Sequence, residues 1–355
     1  MIRILSIDGG GIRGIIPLKV LEYIECQTGK QIHELFDVIG GTSTGGIIAL
    51  GLNCKKPGSD EIYQSTELLK FYITQEDVKR IFKHKIFRQL ENEEEIDEDS
   101  ALKETITADE SLRRPGYLGP YYVSDSIENY LKEKFGENTK ISELETKPDV
   151  TVFSYDIQND CPYYFNSTEA RKNPKDDYCV WQAARATSAA PTYFPAAKFA
   201  SEPDSPIFVD GGVYINNPAL TLLIQAKQLY PKEQNFLLVS LGTGDTKLSD
   251  ADDLANAGAY GWLIKHQGAL LEVMMKGASY TIDRQLQELV SEKSNSGFKI
   301  PSLKSYERYQ KELLENIAMD DIKPQTIDKL KSIGEALVKE KEDSLKKLCK
   351  ELVGN

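Results

Sequence analysis

Twice within the first 53 residues an apolar strand runs straight into a glycine-rich turn and then into a helix. "IRILSI" (2–7) leads into "DGGGIRG" and then into "IIPLKVLEYIECQTG", whose apolar residues recur at helical spacing; "LFDVIGG" leads into "TSTGG" and then "IIALGLN". A strand followed at once by a helix cannot fold back on its successor as a hairpin, so such units build parallel sheets. Further strands are expected at "DVTVFSYDI" (149–157), "PIFVDGG" (206–212) and "NFLLVSLGTG" (235–244). They are separated by the helical patterns "WQAARATSAA" and "ALTLLIQAKQLY". The order predicts an α/β chain with three α/β/α layers around a mainly parallel central sheet. There are no internal repeats.

With 355 residues, 40% of them hydrophobic, the chain is long enough to bury a large core. Its 43 Lys and Arg against 55 Asp and Glu give a formal charge of -12, which argues against a nucleic-acid partner and against broad adhesion to anionic membranes. No stretch approaches the roughly 18 uninterrupted apolar residues of a membrane span, and "IRILSI" begins without the layout of a signal peptide. The expectation is a soluble, cytoplasmic protein, with peripheral membrane contact or signal-less secretion as the departures from it. Cys26, Cys54, Cys161, Cys179 and Cys349 form no C-x-x-C pair and only three histidines are present, which suits free thiols and offers no metal-ligand spacing.

Three stretches stand apart. "ENEEEIDEDS" (91–100) reads as a solvated acidic loop. "DVKRIFKHKIFRQL" (77–90) sets Val78, Ile81, Phe82, Ile86 and Phe87 among Lys79, Arg80, Lys83, Lys85 and Arg88. Such a basic amphipathic stretch is either a helix packed on the core or an interfacial or lid helix. Beyond residue 300, "SYERYQKELLENIA" and "TIDKLKSIGEALVKEKEDSLKKLCKELV" place apolar residues at helical spacing among many charges, predicting a helical C-terminal extension.

The chemistry starts at Gly41-Thr42-Ser43-Thr44-Gly45, a G-x-S-x-G sequence between a strand and a helix. Small glycines there permit the sharp turn that pushes a serine hydroxyl out at the top of a sheet, over a helix N-terminus that favours developing negative charge. Ser43 is the candidate nucleophile, and it needs a base. In chain order Ser43, Asp210 and His266 would match a hydrolase triad, but His266 sits in a helix-like stretch, and His33 and His84 lie in polar or basic helical contexts. Asp210 is the better candidate: it ends the "PIFV" strand and opens an Asp-Gly-Gly turn, which places its carboxylate at the carboxyl edge of the sheet beside Ser43.

The glycines at 9, 11 and 14 have the spacing of a dinucleotide-binding loop. That reading expects an acidic residue at the end of the second strand, whereas Glu25 and Glu34 precede that strand. Three consecutive glycines opening a helix instead supply fixed N–H donors for an oxyanion.

Together "DGGGIRG" (8–14), "GTSTGG" (41–46), "ARATSAAPTYFPA" (184–196), "VDGGVYINNPA" (209–219) and "VSLGTG" (239–244) resemble the patatin-like phospholipases, from residue 1 to about 290. The resemblance implies a catalytic domain over 1–290, including a cap or lid at about 75–120, and leaves the helical extension read from periodicity, 291–355, outside its strongest matches. It also implies a Ser43–Asp210 dyad without histidine, an oxyanion hole from Gly9, Gly10 and Gly11 with Arg13 holding that loop, and a structural role for Pro191. Gly14, Gly41, Gly45, Gly211 and Gly212 support these motifs. The implied reaction is hydrolysis of acyl esters of membrane glycerophospholipids through an acyl-enzyme on Ser43, with no cofactor and no metal. Some members of the family act as toxins or defence enzymes switched on by a partner. The alternative is therefore an effector that needs an activating protein or a small nucleotide ligand.

Overall fold

The computed structural model describes residues 1–84, 120–202, 204–246, 251–258, 261–262, 269–290 and 303–354. Its strands are β1 (Ile2–Ile7), β2 (Val38–Thr42), β3 (Asp149–Asp156), β4 (Cys161–Asn166), β5 (Ala197–Lys198), β6 (Ile207–Asp210), β7 (Phe236–Leu241) and β8 (Leu303–Tyr309). They form one sheet in the order β5-β6-β3-β2-β1-β7-β8, with β4 also paired to β3. The run β3-β2-β1-β7-β8 is parallel throughout. At the other edge β4 and β6 pair antiparallel to β3, and β5 antiparallel to β6. β1 lies in the middle, flanked by β2 on one side and by β7, some 190 residues later, on the other. A doubly wound sheet opens its crevice where the strand order reverses in this way, beyond the carboxyl ends of the strands.

The helices used below are α1 (Ile15–Thr28), α2 (Thr44–Gly51), α3 (Ser65–Ile73), α4 (Gln75–Ile81), α5 (Ser124–Phe135), α6 (Val180–Thr187), α7 (Ala219–Leu229), α8 (Ala269–Val290), α9 (Pro324–Glu340) and α10 (Glu342–Val353). Alternation along β1 divides its side chains between two cores. Leu5 and Ile7 join the larger one with residues of α1, α2, α3 and α5, while Ile2 and Ile4 join a smaller one with Leu222, Leu223 and Ala226 of α7 and Leu286 of α8. The result is the expected three-layer arrangement, with the sheet buried on both faces.

Two expectations change. "SYERYQKELLENIA" (305–318) is not helix: its first five residues belong to β8, "LKSYERY" (303–309), which extends the parallel sheet beside β7, and 310–318 form no helix. β6 runs antiparallel to β3, so Asp210 ends a strand that descends from the carboxyl edge of the parallel strands. The register still sets it level with the nucleophile, because Thr42 is opposite Phe153 and Asp210 is opposite Ser154.

The later stretch is helical as expected. α9 and α10 pack on α1, and the crossing is close enough that a Cβ at Gly334 would stand 2.8 Å from the Lys19 Cβ. The acidic run 91–100 lies outside the described residues, and no described helix is long and apolar enough to cross a membrane.

Candidate active site

Ser43 sits between β2 and α2 with φ 55° and ψ -126°, a backbone state that L-residues rarely adopt, and it is 8% exposed. Such strain persists only when the surroundings over-determine it, and here they do. A Cβ at Gly41 would collide with the Gly45 carbonyl, and one at Gly45 with the Ile7 carbonyl of β1. From α6, Thr187 closes the turn: the Ser43 amide donates to Thr187 Oγ1 at 2.9 Å, and that hydroxyl donates to the Phe153 carbonyl at 2.6 Å. These contacts fix the elbow the G-x-S-x-G spacing predicted.

Asp210 is 3% exposed. Its Oδ1 accepts the Gly212 amide at 2.7 Å, and a Cβ at Gly211 would meet the Phe153 carbonyl, so the Asp-Gly-Gly turn folds tightly under the carboxylate. Burial pushes the carboxyl up to about 7, against the opposing pull of hydrogen bonds from the Ser43 hydroxyl and the Gly212 amide. A carboxylate poised near neutrality, bonded to a strained serine, has the properties of a general base.

The glycine loop lies at the end of β1. Gly11 begins a short 3-10 turn through Gly14 that runs on into α1, so the amides here form a helix N-terminus. Gly11 has φ +58° and a Cβ there would strike the Met319 carbonyl, while Gly14 packs on Thr44. The Gly9 amide is already spent: it donates to the Asn216 carbonyl at 3.1 Å. Of the three glycines expected to donate, Gly10 and Gly11 have amides with no acceptor among the described residues. Arg13 is 6% exposed, donates from Nε to the Gly10 carbonyl at 3.4 Å and pairs with Glu272 at 3.6 Å. Burial lowers its affinity for the proton and Glu272 offsets this.

Ser43, Asp210 and Gly11 line one cleft of about 800 Å³, its open mouth included. The remaining wall is almost entirely apolar, including Ile47, Phe71, Tyr130, Leu131 and Phe194. Val78, Ile81 and Phe82 line it too, and Phe82 packs on Tyr122 and Phe194 with ring centroids 5.4 and 6.1 Å away. The apolar side of 77–84 therefore lines the cleft; residues 85–90 lie outside the described ones. Pro191 starts a turn closed by the Tyr193 amide on the Ala190 carbonyl at 3.1 Å, which presents Tyr193 and Phe194 to the same wall. Of the histidines, His33 and His84 do not line the cleft, and His266 lies outside the described residues. Among the described residues no three His, Cys, Asp or Glu side chains are grouped to hold a metal.

Several supporting residues escaped the sequence reading. Asp8, directly before the glycines, is 1% exposed and forms a two-pronged ion pair with Arg308 of β8, at 2.9 and 2.6 Å. Ser279 of α8 donates to the same carboxylate at 2.8 Å. Burial works against the Arg308 charge, but Asp8 outweighs it and holds the guanidinium above its ordinary value. Asn216 and Thr243 both bond to Gly9. They lie in stretches already singled out, "VDGGVYINNPA" and "VSLGTG", but a motif does not say which of its side chains turns toward which loop.

A family model described as "Patatin-like phospholipase" matches residues 5–223. "Patatin-like protein 2" of Oryza sativa subsp. indica is 30% identical over 95% of this chain and 84% of its own length. "Patatin-17" of Solanum cardiophyllum is 30% identical over 96% and 84%. The solved structure of VipD from Legionella pneumophila aligns over 96% of this chain and 67% of its own at 10% identity, with a TM-score of 0.32, too low to carry an argument.

Proposed function

The chain belongs to the patatin-like phospholipase family, and from that premise we propose that it is a lipid acyl hydrolase in which Ser43 and Asp210 work as a dyad. The observation that carries this is Asp210 itself: buried, bonded to Ser43, and raised to about 7 at the head of an apolar cleft. Asp210 takes the Ser43 proton as the oxygen attacks the ester carbonyl. The resulting oxyanion is received by the Gly10 and Gly11 amides, whose loop Arg13 holds through the Gly10 carbonyl. Collapse breaks the ester bond, Asp210 returns the proton to the departing alcohol, and the acyl group stays on Ser43. Water, deprotonated by Asp210, then releases the fatty acid and restores the serine. The cleft wall suits an acyl chain, and the substrate expected is a membrane glycerophospholipid. No step draws on a cofactor.

The test is mass spectrometry of mixed phospholipid vesicles incubated without calcium with the wild type and with Ser43→Ala. Fatty acids and lysolipids released by the wild type alone are the expected outcome, and the lysolipid masses name the head groups. Equal release by both proteins would overturn the dyad. Release by neither, from a protein whose Ser43 still reacts with a fluorophosphonate, would point to the reading in which an activating protein or small ligand is required.

A further inference from the structure

The oxyanion loop has a second layer. Thr243 lies two residues past the end of β7, and β7 pairs with β1 so that Leu241 is opposite Ile7; Thr243 therefore stands level with Gly9. Its hydroxyl donates to the Gly9 carbonyl at 2.6 Å, and the side chain is 3% exposed. Asn216 Nδ2 reaches the same carbonyl at 3.5 Å. In a trans peptide the carbonyl and the following amide point in opposite directions. Tying the Gly9 oxygen back toward Thr243 therefore turns the Gly10 N–H away from it. The next peptide is held in the same manner, since the Gly10 carbonyl accepts the Arg13 amide at 3.2 Å and Arg13 Nε at 3.4 Å, which fixes the Gly11 N–H. Thr243 is itself clamped. The Gly242 amide donates to the Tyr309 carbonyl at 2.9 Å, and the Gly244 amide donates to Gln310 Oε1 at 2.8 Å, both on the β8 side. A Cβ on Gly10 would collide with the threonine side chain, so loop and threonine fit without space between them.

We propose that Thr243 is a positioning residue for the reaction: its hydroxyl presets the Gly9–Gly10 peptide so that the Gly10 amide meets the oxyanion without rearrangement. This rests on the reading of Ser43 as nucleophile and of the glycine loop as its oxyanion hole. An amide held in place beforehand loses nothing to reorganisation when charge develops, which is where such donors gain their effect. A loop free to rotate about this peptide would still bind substrate in the apolar cleft. It would stabilise the transition state less, so the loss falls on kcat and not on KM.

The test measures the rate at which a fluorophosphonate labels Ser43 in the full chain, together with kcat and KM on a short-chain ester. Labelling forms a bond from the Ser43 oxygen to phosphorus and expels fluoride while Asp210 takes the proton, and the phosphonyl oxygen occupies the oxyanion position whatever the natural substrate. Thr243→Val keeps the shape and removes the hydroxyl; it is expected to lower both the labelling rate and kcat roughly 10- to 100-fold, less than the loss of a whole donor, with KM within about threefold. Thr243→Ser is expected to recover to within about threefold of the wild type, which a packing role alone would not produce. Thr243→Ala, read the same way, stands in if the valine variant does not fold by circular dichroism. Wild-type labelling in the valine or alanine variant, or a serine variant no faster than valine, overturns the proposal. Labelling of Ser43→Ala at the wild-type rate overturns instead the reading on which it rests.

Discussion

At Asp210 function and stability pull in opposite directions. The unfolded chain releases this proton near 3.8 and the folded chain near 7, because burial disfavours the charged form. Between those values the folded state holds a proton that the unfolded state has lost. Stability therefore falls as pH rises from about 4 to about 7 and is level above that, by on the order of 4 kcal/mol in all. Asp210→Asn has no proton to lose. It is expected to melt above the wild type at pH 8, with the difference vanishing by pH 4, while turnover drops roughly 10²- to 10⁴-fold. Wild-type kcat/KM is expected to rise with pH through about 7, as the base ionises. Paired thermal melts and a pH–rate profile check both; coincident melts at pH 8 would show that burial does not hold this carboxyl up.

Among the elements, those with local signals were legible. β1, β2, α1 and α2 announce themselves through apolar periodicity broken by glycine, and the elbow through its spacing. What was not legible depends on pairing. "LKSYERY" carries Lys304, Glu307 and Arg308, a composition that reads as surface helix, and only its register with β7 makes it a strand. The direction of β6 was hidden for a similar reason, since "PIFV" looks the same in a parallel or an antiparallel ladder. Asp8 and Arg308 are 300 positions apart, so no local pattern joins them. Their pairing yields a prediction about β8. Arg308→Met leaves the Asp8 charge buried without its partner, and such breaks cost roughly 3–5 kcal/mol. The Asp8→Asn/Arg308→Met double variant removes both charges and is expected to regain most of that. Denaturant unfolding of the wild type, Asp8→Asn, Arg308→Met and the double variant measures the coupling; additive losses would mean that the two residues stabilise the loop independently.

On the scale of the whole molecule, the question is whether the last two helices are an appendage or part of the wall. The proposed chemistry rests on residues 8–14, 41–46 and 210–216, with Thr187, Thr243 and Arg308 behind them, and no residue lining the cleft comes from α9 or α10. Yet α1, which grows out of the oxyanion loop, is covered by both helices. Ile327, Leu330, Leu337, Leu345, Leu348 and Leu352 are each no more than 3% exposed. At roughly 1.5–3 kcal/mol for each such side chain, that burial is on the order of 10 kcal/mol, comparable to the entire stability of an ordinary domain. A chain ending at Ile322 keeps β8 and the Met319 carbonyl under Gly11 but bares the outer face of α1. It is expected to aggregate or to melt far below the full chain, and to lose fluorophosphonate labelling of Ser43 along with its fold. Gel filtration and a thermal melt decide it. A monomer that is labelled at the wild-type rate would show that the sheet and the helices before α9 hold the loop by themselves, and that α9 and α10 serve something other than the catalytic body.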